Sequence, residues 1–266
     1  MAAMRDDSEV GVSIGDLSRS ADDHAVAAAL ATAAGRRLLE IRSEYGFADA
    51  GVLRTAGDAG AQDLLARQLS RLRPEDAVLS EEARDDPARL RRSRVWIIDP
   101  LDGTREFSEE GRSDWAVHVA LWIDGMVTVG AVALPGRGLT LSTPDVVAPQ
   151  AHSGRPRMVV SRTRPPAETE AVAAALDAEL LPLGSAGAKV SAVVLGEADV
   201  YVHGGGQFEW DSAAPVALAL AAGLHASRLD GSPLIYNQAD PYLPDLVVCR
   251  MDLRDSVLTA LSQLGT

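Results

Sequence analysis

Val95-Trp96-Ile97-Ile98-Asp99-Pro100-Leu101-Asp102-Gly103-Thr104 is an apolar run that ends in two carboxylates three residues apart. The four apolar residues read as a buried strand. Pro100 disfavours helical backbone at Asp99 and fixes its own φ, so the chain leaves the strand in an extended bend. Gly103 permits a tight turn or the close approach of a ligand. Thr104 can open a helix whose free amides lie near the acids. Acids beside an anion-binding set of amides make chemical sense when a divalent cation lies between carboxylate and phosphate.

Upstream of this stretch, apolar residues recur at helical spacing over 20–45 (Val26, Leu30, Ala34, Leu38, Ile41), with Gly46 as the stop. A second helix is expected over 58–72, with Asp58 as its cap and Pro74 beyond its end. Val78-Leu79-Ser80 reads as a short strand followed by Glu81-Glu82, and the charged run 84–94 as a solvated face. Downstream, 115–123, 127–133 and 139–142 read as an antiparallel meander turning at Asp124-Gly125.

Pro144, Pro149, Gly154 and Pro156 mark a boundary, after which strands and helices alternate. Strands are expected near 158–161, 181–183, 199–203, 225–229 and 245–249. Helices are expected over 165–180, 185–195 and 211–222 and at the C-terminus, with Asp211 as an N-cap. The reading gives a flexible leader (1–19), an N-terminal α+β domain carrying the acids (20–154) and a C-terminal α/β domain (155–266).

The chain has 266 residues and a net charge of −13, which argues against nucleic-acid binding through a basic surface. An anionic substrate would need local positive charge from metal ions, helix ends or a few basic side chains. The acidic N-terminus (Asp6, Asp7, Glu9) is not a secretory signal, and no apolar run is long enough to span a membrane. Cys249, the only cysteine, excludes an intrachain disulfide and a cysteine-based zinc site, and reads as an inert core thiol. A cytoplasmic enzyme fits this pattern. Lys189 is the one lysine among 25 basic residues, the rest being arginine.

Glu81-Glu82, Asp99 with Asp102, and Asp211 all follow apolar strands or open helices. Hard oxygen ligands without cysteine or a histidine pair point to Mg²⁺ or Mn²⁺ and to displacement at phosphorus. No nucleophile elbow or Walker loop competes. The five histidines show no metal spacing and read as surface or satisfied core residues. His203, before Gly204-Gly205-Gly206, is the exception, placed where a strand could end at a cleft.

Asp-Pro-Leu-Asp-Gly-Thr after Trp-Ile-Ile resembles the signature of the lithium-sensitive, magnesium-dependent phosphatase superfamily that includes inositol monophosphatases. Ser80-Glu81-Glu82 and Trp210-Asp211-Ser212-Ala213-Ala214-Pro215 resemble its upstream and downstream motifs. Within it, Asp102-Gly103-Thr104-Arg105-Glu106-Phe107, Gly184-Ser185-Ala186-Gly187-Ala188-Lys189 and the segment 228–237 are most similar to CysQ-type 3′(2′),5′-bisphosphate nucleotidases of the actinobacterial branch.

The resemblance implies a layered αβαβα sandwich and two to three Mg²⁺ ions, with Mn²⁺ an acceptable substitute. It implies metal ligation by Glu81, Asp99, the Leu101 carbonyl, Asp102 and Asp211. Asp58 with Thr104 would activate the attacking water. Gly103, Thr104, Gly184, Ser185, Lys189 and Glu209 would contact substrate. The implied reaction is removal of the 3′-phosphate from 3′-phosphoadenosine 5′-phosphate, with its sulfated form as a further substrate, in sulfur assimilation and with Li⁺ inhibition. The same core also serves inositol-1-phosphate and fructose-1,6-bisphosphate, and relatives are commonly homodimers. Three departures stand out: Val52 replaces the usual first acid of the motif around Asp58, the basic residues usual after Asp58 are missing, and His118 replaces an Asn.

Overall fold

Two long helices precede the first sheet. α1 (Asp23–Tyr45) is capped by Asp22, whose side chain accepts from the amides of His24 and Ala25, and it stops at Gly46, where φ is +62°. α2 (Ala50–Leu72) starts at an Asp49 cap, so Asp58 is an interior residue of the helix and not its cap. The sequence places this start about two turns too late because Gly51, Gly57 and Gly60 dilute the helical signal. Two of these glycines are points of close approach. A Cβ at Gly57 would lie 2.7 Å from Phe107 and 3.0 Å from Leu101, and one at Gly60 would overlap Ile41.

The computed structural model describes residues 14–150, 154–163 and 165–264, so residues 1–13 of the expected leader lie outside the described residues. Residues 14–19 are held against α2, where Arg71 donates to the carbonyls of Ile14 and Leu17 at 2.8 and 2.9 Å.

β1 (Ala77–Ser80), β2 (Arg94–Asp102), β3 (Ala116–Ile123), β4 (Met126–Leu134) and β5 (Leu139–Ser142) form one sheet in that order. β1 runs parallel to β2, and the rest is the expected antiparallel meander. The one-turn helix α3 (Thr104–Phe107) follows β2 directly. The charged run 84–94 is not wholly solvated: Arg89 is 1% exposed, held by Asp85 and by Asn237.

The second half contains β6 (Arg157–Ser161), α4 (Ala167–Leu176), β7 (Glu179–Leu183), α5 (Ala186–Val194), β8 (Val200–His203), β9 (Gln207–Phe208) and α6 (Glu209–Ala221). β10 (His225–Ser227), β11 (Tyr242–Leu243), β12 (Leu246–Cys249) and α7 (Arg254–Ser262) complete it. The second sheet has the order β10-β12-β8-β6-β7, and β9 pairs with β11 in a separate ribbon. α4 is shorter than its sequence pattern suggests. It ends at Asp177 in the left-handed region because 179–183 is needed as a strand parallel to β6. Asp211 is the third residue of α6, not its cap.

Side-chain alternation assigns the layers. On β2, Trp96 and Ile98 join α1 and α2 in one core, whereas Val95 and Ile97 face α5 and α6. On β12, Leu246 and Val248 face the same two helices, and Val247 and Cys249 face α4 and α7. Both sheets are therefore covered on both faces, which is why their strands read as nearly continuous apolar runs. The order is helices, sheet, helices, sheet, helices. α5 and α6 share one core with both sheets, so the chain's two halves meet across a common apolar layer.

α6 lies close on β4. A Cβ at Gly130 would sit 2.7 Å from the Ala214 carbonyl oxygen and 2.7 Å from the Ala217 Cβ. Gly130→Ala is expected to lower unfolding free energy by about 1–3 kcal/mol through overpacking. Urea denaturation checks this, and an unchanged midpoint would show that α6 can move off β4 freely.

Candidate active site

β2 carries its apolar run straight into the acids, with a break in register against β3 between Asp99 and Asp102. Asp99 is 1% exposed; its Oδ1 accepts from the Leu101 amide at 2.9 Å, and its Oδ2 is buried without a hydrogen-bond partner. Asp102 Oδ2 accepts from the Ser185 hydroxyl at 2.5 Å and the Gly187 amide at 2.6 Å. Asp211 Oδ2 accepts from the Phe208 amide at 2.7 Å. Each carboxylate thus commits one oxygen to the protein. One oxygen from each of the three lies within 4.8 Å of the others.

Burial, then the charges of Glu81, Asp102 and Asp211, push Asp99 well above the usual carboxylate range. Burial and Asp102 push Asp211 up to about 6, and burial and Asp211 push Glu81 up to about 7. Asp102 goes the other way. Burial opposes ionisation there, but His118, Ser185 and the Gly187 amide hold it at about 2. The donors are all oxygens, one of them orphaned and buried, and repulsion among them would be relieved by positive charge. This set fits a hard divalent cation; Glu81 is not one of the three clustered acids but is near enough to feel the charges of Asp211 and Asp102. In the structure the Leu101 carbonyl accepts from the Thr104 hydroxyl at 3.1 Å.

The other expected residues fall in several places. The packing of Gly57 on Leu101 and Phe107 lays α2 against the motif and brings Asp58 with it. Burial, then Glu82, raise Asp58 to about 6, opposed by Arg54. Gly103 has a φ of +83°, and a Cβ there would lie 3.0 Å from that of Ser185, so the 184–189 loop closes directly on the motif. Gly184 abuts the Glu106 carboxyl, and its amide donates to Asp114 at 2.6 Å.

Lys189 and Glu209 are differently employed than the sequence suggests. The Lys189 ammonium is buried and donates to the Gly184 carbonyl at 2.6 Å, so it clips its own loop; burial lowers its pKa. Both Glu209 oxygens accept from the backbone, at Asn237 (2.6 Å) and Gln238 (2.7 Å), so Glu209 anchors that segment rather than lining the site. His203 ends β8 with its Nε2 3.1 Å from the Gly206 carbonyl, and Cys249 is a buried thiol pushed up to about 12.

His118 is the residue that spacing alone does not reveal. It pairs with Asp99 across β2 and β3 and is fully buried. Its Nδ1 donates to the Trp210 carbonyl at 3.0 Å and its Nε2 lies 3.2 Å from Asp102 Oδ2. A side chain at Gly187 would overlap its ring, so α5 reaches Asp102 only because that position is glycine. The register of the β2–β3 hairpin was the available signal. His118 ties β3 to both β2 and α6, where the acids sit. His118→Ala is expected to weaken divalent-cation binding by about 10–100-fold, as loss of a group that orients a ligand does. Mn²⁺ titration of the folded variant measures this, and wild-type affinity would leave Asp102 oriented without the histidine.

The sequence profile of the inositol monophosphatase family matches residues 19–259. The chain is 53% identical over 262 residues to 3′-phosphoadenosine 5′-phosphate phosphatase of Mycobacterium leprae, covering 94% of this chain and 97% of that one. It is 32% identical over 204 residues to the 3′(2′),5′-bisphosphate nucleotidase CysQ of Escherichia coli, covering 71% of this chain and 81% of that one. Its fold is similar to the crystal structure of CysQ from Bacteroides thetaiotaomicron, with a TM-score of 0.69 and 27% identity over 83% of this chain and 94% of that one.

Proposed function

The chain belongs to the inositol monophosphatase family, and on that premise we propose that it hydrolyses 3′-phosphoadenosine 5′-phosphate to AMP and inorganic phosphate. The observation that carries this reading is the 53% identity, over nearly the whole chain, to a phosphatase named for that substrate. The acid cluster supports it, since three of the expected ligands, Asp99, Asp102 and Asp211, bring one oxygen each within 4.8 Å of the others. In the same reading the cation is Mg²⁺, two to three ions are bound, Mn²⁺ can replace them, and the enzyme works as a cytoplasmic homodimer.

Asp99, Asp102, Asp211, Glu81 and the Leu101 carbonyl would hold the metal. A divalent cation bound there supplies Lewis acidity toward a phosphoryl oxygen and offsets the substrate's charge. The chain's own groups do the rest. The hydrogen bonds of Ser185 and Gly187 fix Asp102 in one orientation, so its carboxylate needs no reorganisation when charge moves. Thr104, anchored to the Leu101 carbonyl, orients the attacking water, and Asp58 accepts its proton. With a pKa of about 6, Asp58 is mostly ionised at neutral pH yet still basic enough for that task. The amides of Gly103 and Thr104 receive the scissile phosphate, and the loop clipped by Lys189 faces the rest of the substrate.

Three experiments bear on the reading. Phosphate release from 3′-phosphoadenosine 5′-phosphate, inositol-1-phosphate and fructose-1,6-bisphosphate under one condition, with and without Li⁺, should favour the nucleotide and show inhibition. A preference for inositol-1-phosphate would sink the substrate assignment, and Asp99→Asn should abolish turnover on every substrate. Lys189→Ala, by freeing the Gly184 carbonyl, should raise KM for the nucleotide more than it lowers kcat. An unchanged KM would remove the 184–189 loop from the substrate site.

A further inference from the structure

The chain is only 4% aromatic, and most of its rings are buried or half-buried. Phe208 and Tyr242 are exceptions, 42% and 51% exposed, and they face each other across the β9–β11 ribbon. The Phe208 ring stacks on half-buried Trp210, with centroids 4.9 Å apart and planes 9° apart, and Tyr242 meets it edge-on at 5.9 Å. Strand alternation turns Gln207 inward, where it is buried and donates to the Tyr201 hydroxyl, and turns Phe208 outward.

This rim is held in place. The Gly206 amide donates to the Pro244 carbonyl at 2.9 Å and the Glu209 amide to the Pro241 carbonyl at 2.8 Å. The Tyr242 ring lies against Gly206, where a side chain would overlap its hydroxyl. The rim is also beside the acids. The Phe208 amide is 2.7 Å from Asp211 Oδ2, so the Phe208 Cα lies within about 4 Å of that oxygen, one N–Cα bond further at most.

An exposed, ordered aromatic pair next to a cluster of carboxylates contributes little to the core. It offers a flat apolar surface whose attraction for a ligand does not depend on charge, in a protein whose net charge of −13 repels anions. We propose that the Phe208–Tyr242 rim binds the purine base of the substrate by stacking, and so selects nucleotides over inositol and sugar phosphates, which have no π-face. The proposal rests on the nucleotidase reading above and assigns the part of the substrate which that reading leaves unplaced.

The test compares the full-length wild type with Phe208→Ala, Phe208→Trp and Tyr242→Ala in Mg²⁺. It uses KM for 3′-phosphoadenosine 5′-phosphate and the inhibition constants of AMP and of ribose 5-phosphate, which lacks the base. Phe208→Ala should raise the nucleotide KM and the AMP constant roughly ten- to a hundredfold, the scale of a lost base–aromatic stack. The ribose 5-phosphate constant should change far less. Phe208→Trp should restore AMP binding, and Tyr242→Ala should shift it in the same direction as Phe208→Ala. Equal shifts for AMP and ribose 5-phosphate, or no shift for AMP, would overturn the stacking assignment. Wild-type turnover of the nucleotide is the separate control: if it is absent while inositol-1-phosphate is hydrolysed, the nucleotidase reading fails, and this proposal with it.

Discussion

Asp99 and Asp102 bring two carboxylates into the interior and Asp211 adds a third, with one oxygen of each within 4.8 Å of the others. Two unit charges about 4 Å apart repel by about 4 kcal/mol even at an effective dielectric constant near 20. Among the described residues no arginine or lysine hydrogen-bonds these three acids; their donors are the amides of Leu101, Gly187 and Phe208 and the Ser185 hydroxyl, and His118 Nε2 lies 3.2 Å from Asp102. Dipoles of this kind steady one oxygen of each acid and leave negative charge to be met from outside. Backbone amides can serve an acid only if the backbone comes close. That requirement accounts for glycine at 103, where the motif meets Ser185, and at 187, where any side chain would strike His118.

The layered fold follows from the same requirement. Asp99 and Asp102 end β2, Asp102's donors open α5, and Asp211 lies in the first turn of α6. The acids converge because α5 and α6 are packed between the two sheets, sharing one core with both. Small residues allow that packing, with alanines along α6 and Gly130 beneath it on β4. Larger side chains would widen the layer and separate the helix starts from the end of β2.

Much of this was legible in the sequence. The buried strand, the meander turning at Asp124-Gly125, and the strand–helix alternation after Pro144 all follow from local pattern and appear in the structure. The starts of α2 and α6 were not legible, because glycines in α2 are chosen for tertiary contact rather than helix propensity, and because an acid in a first helical turn looks like a cap. Nor was the employment of buried charges. Arg89 sits in a run of charges that reads as solvated, and the family resemblance puts Glu209 in the site, yet each is 1% exposed and bound to a distant segment. Sequence spacing reports what is near along the chain, and these partners are not near along the chain.

Those two residues explain how Glu81 and Asp211 can belong to one site. Glu81 follows β1 and Asp211 opens α6, and no strand pairing joins them. Arg89, in the connection that Glu81 begins, binds the Asn237 side chain at 2.6 Å and the Gln238 carbonyl at 2.8 Å. Glu209, in the first turn of α6, takes the amides of the same two residues. Asn237 and Gln238 are therefore gripped from both sides by buried, opposite charges. Leaving either charge unpaired in the interior would be costly, so the β1–β2 connection and the start of α6 are fixed relative to each other through a segment that belongs to neither. The resemblance of residues 228–237 to a nucleotidase segment then has a structural reason: the Asn237-Gln238 turn ties the connection that begins at Glu81 to the first turn of α6, where Asp211 sits.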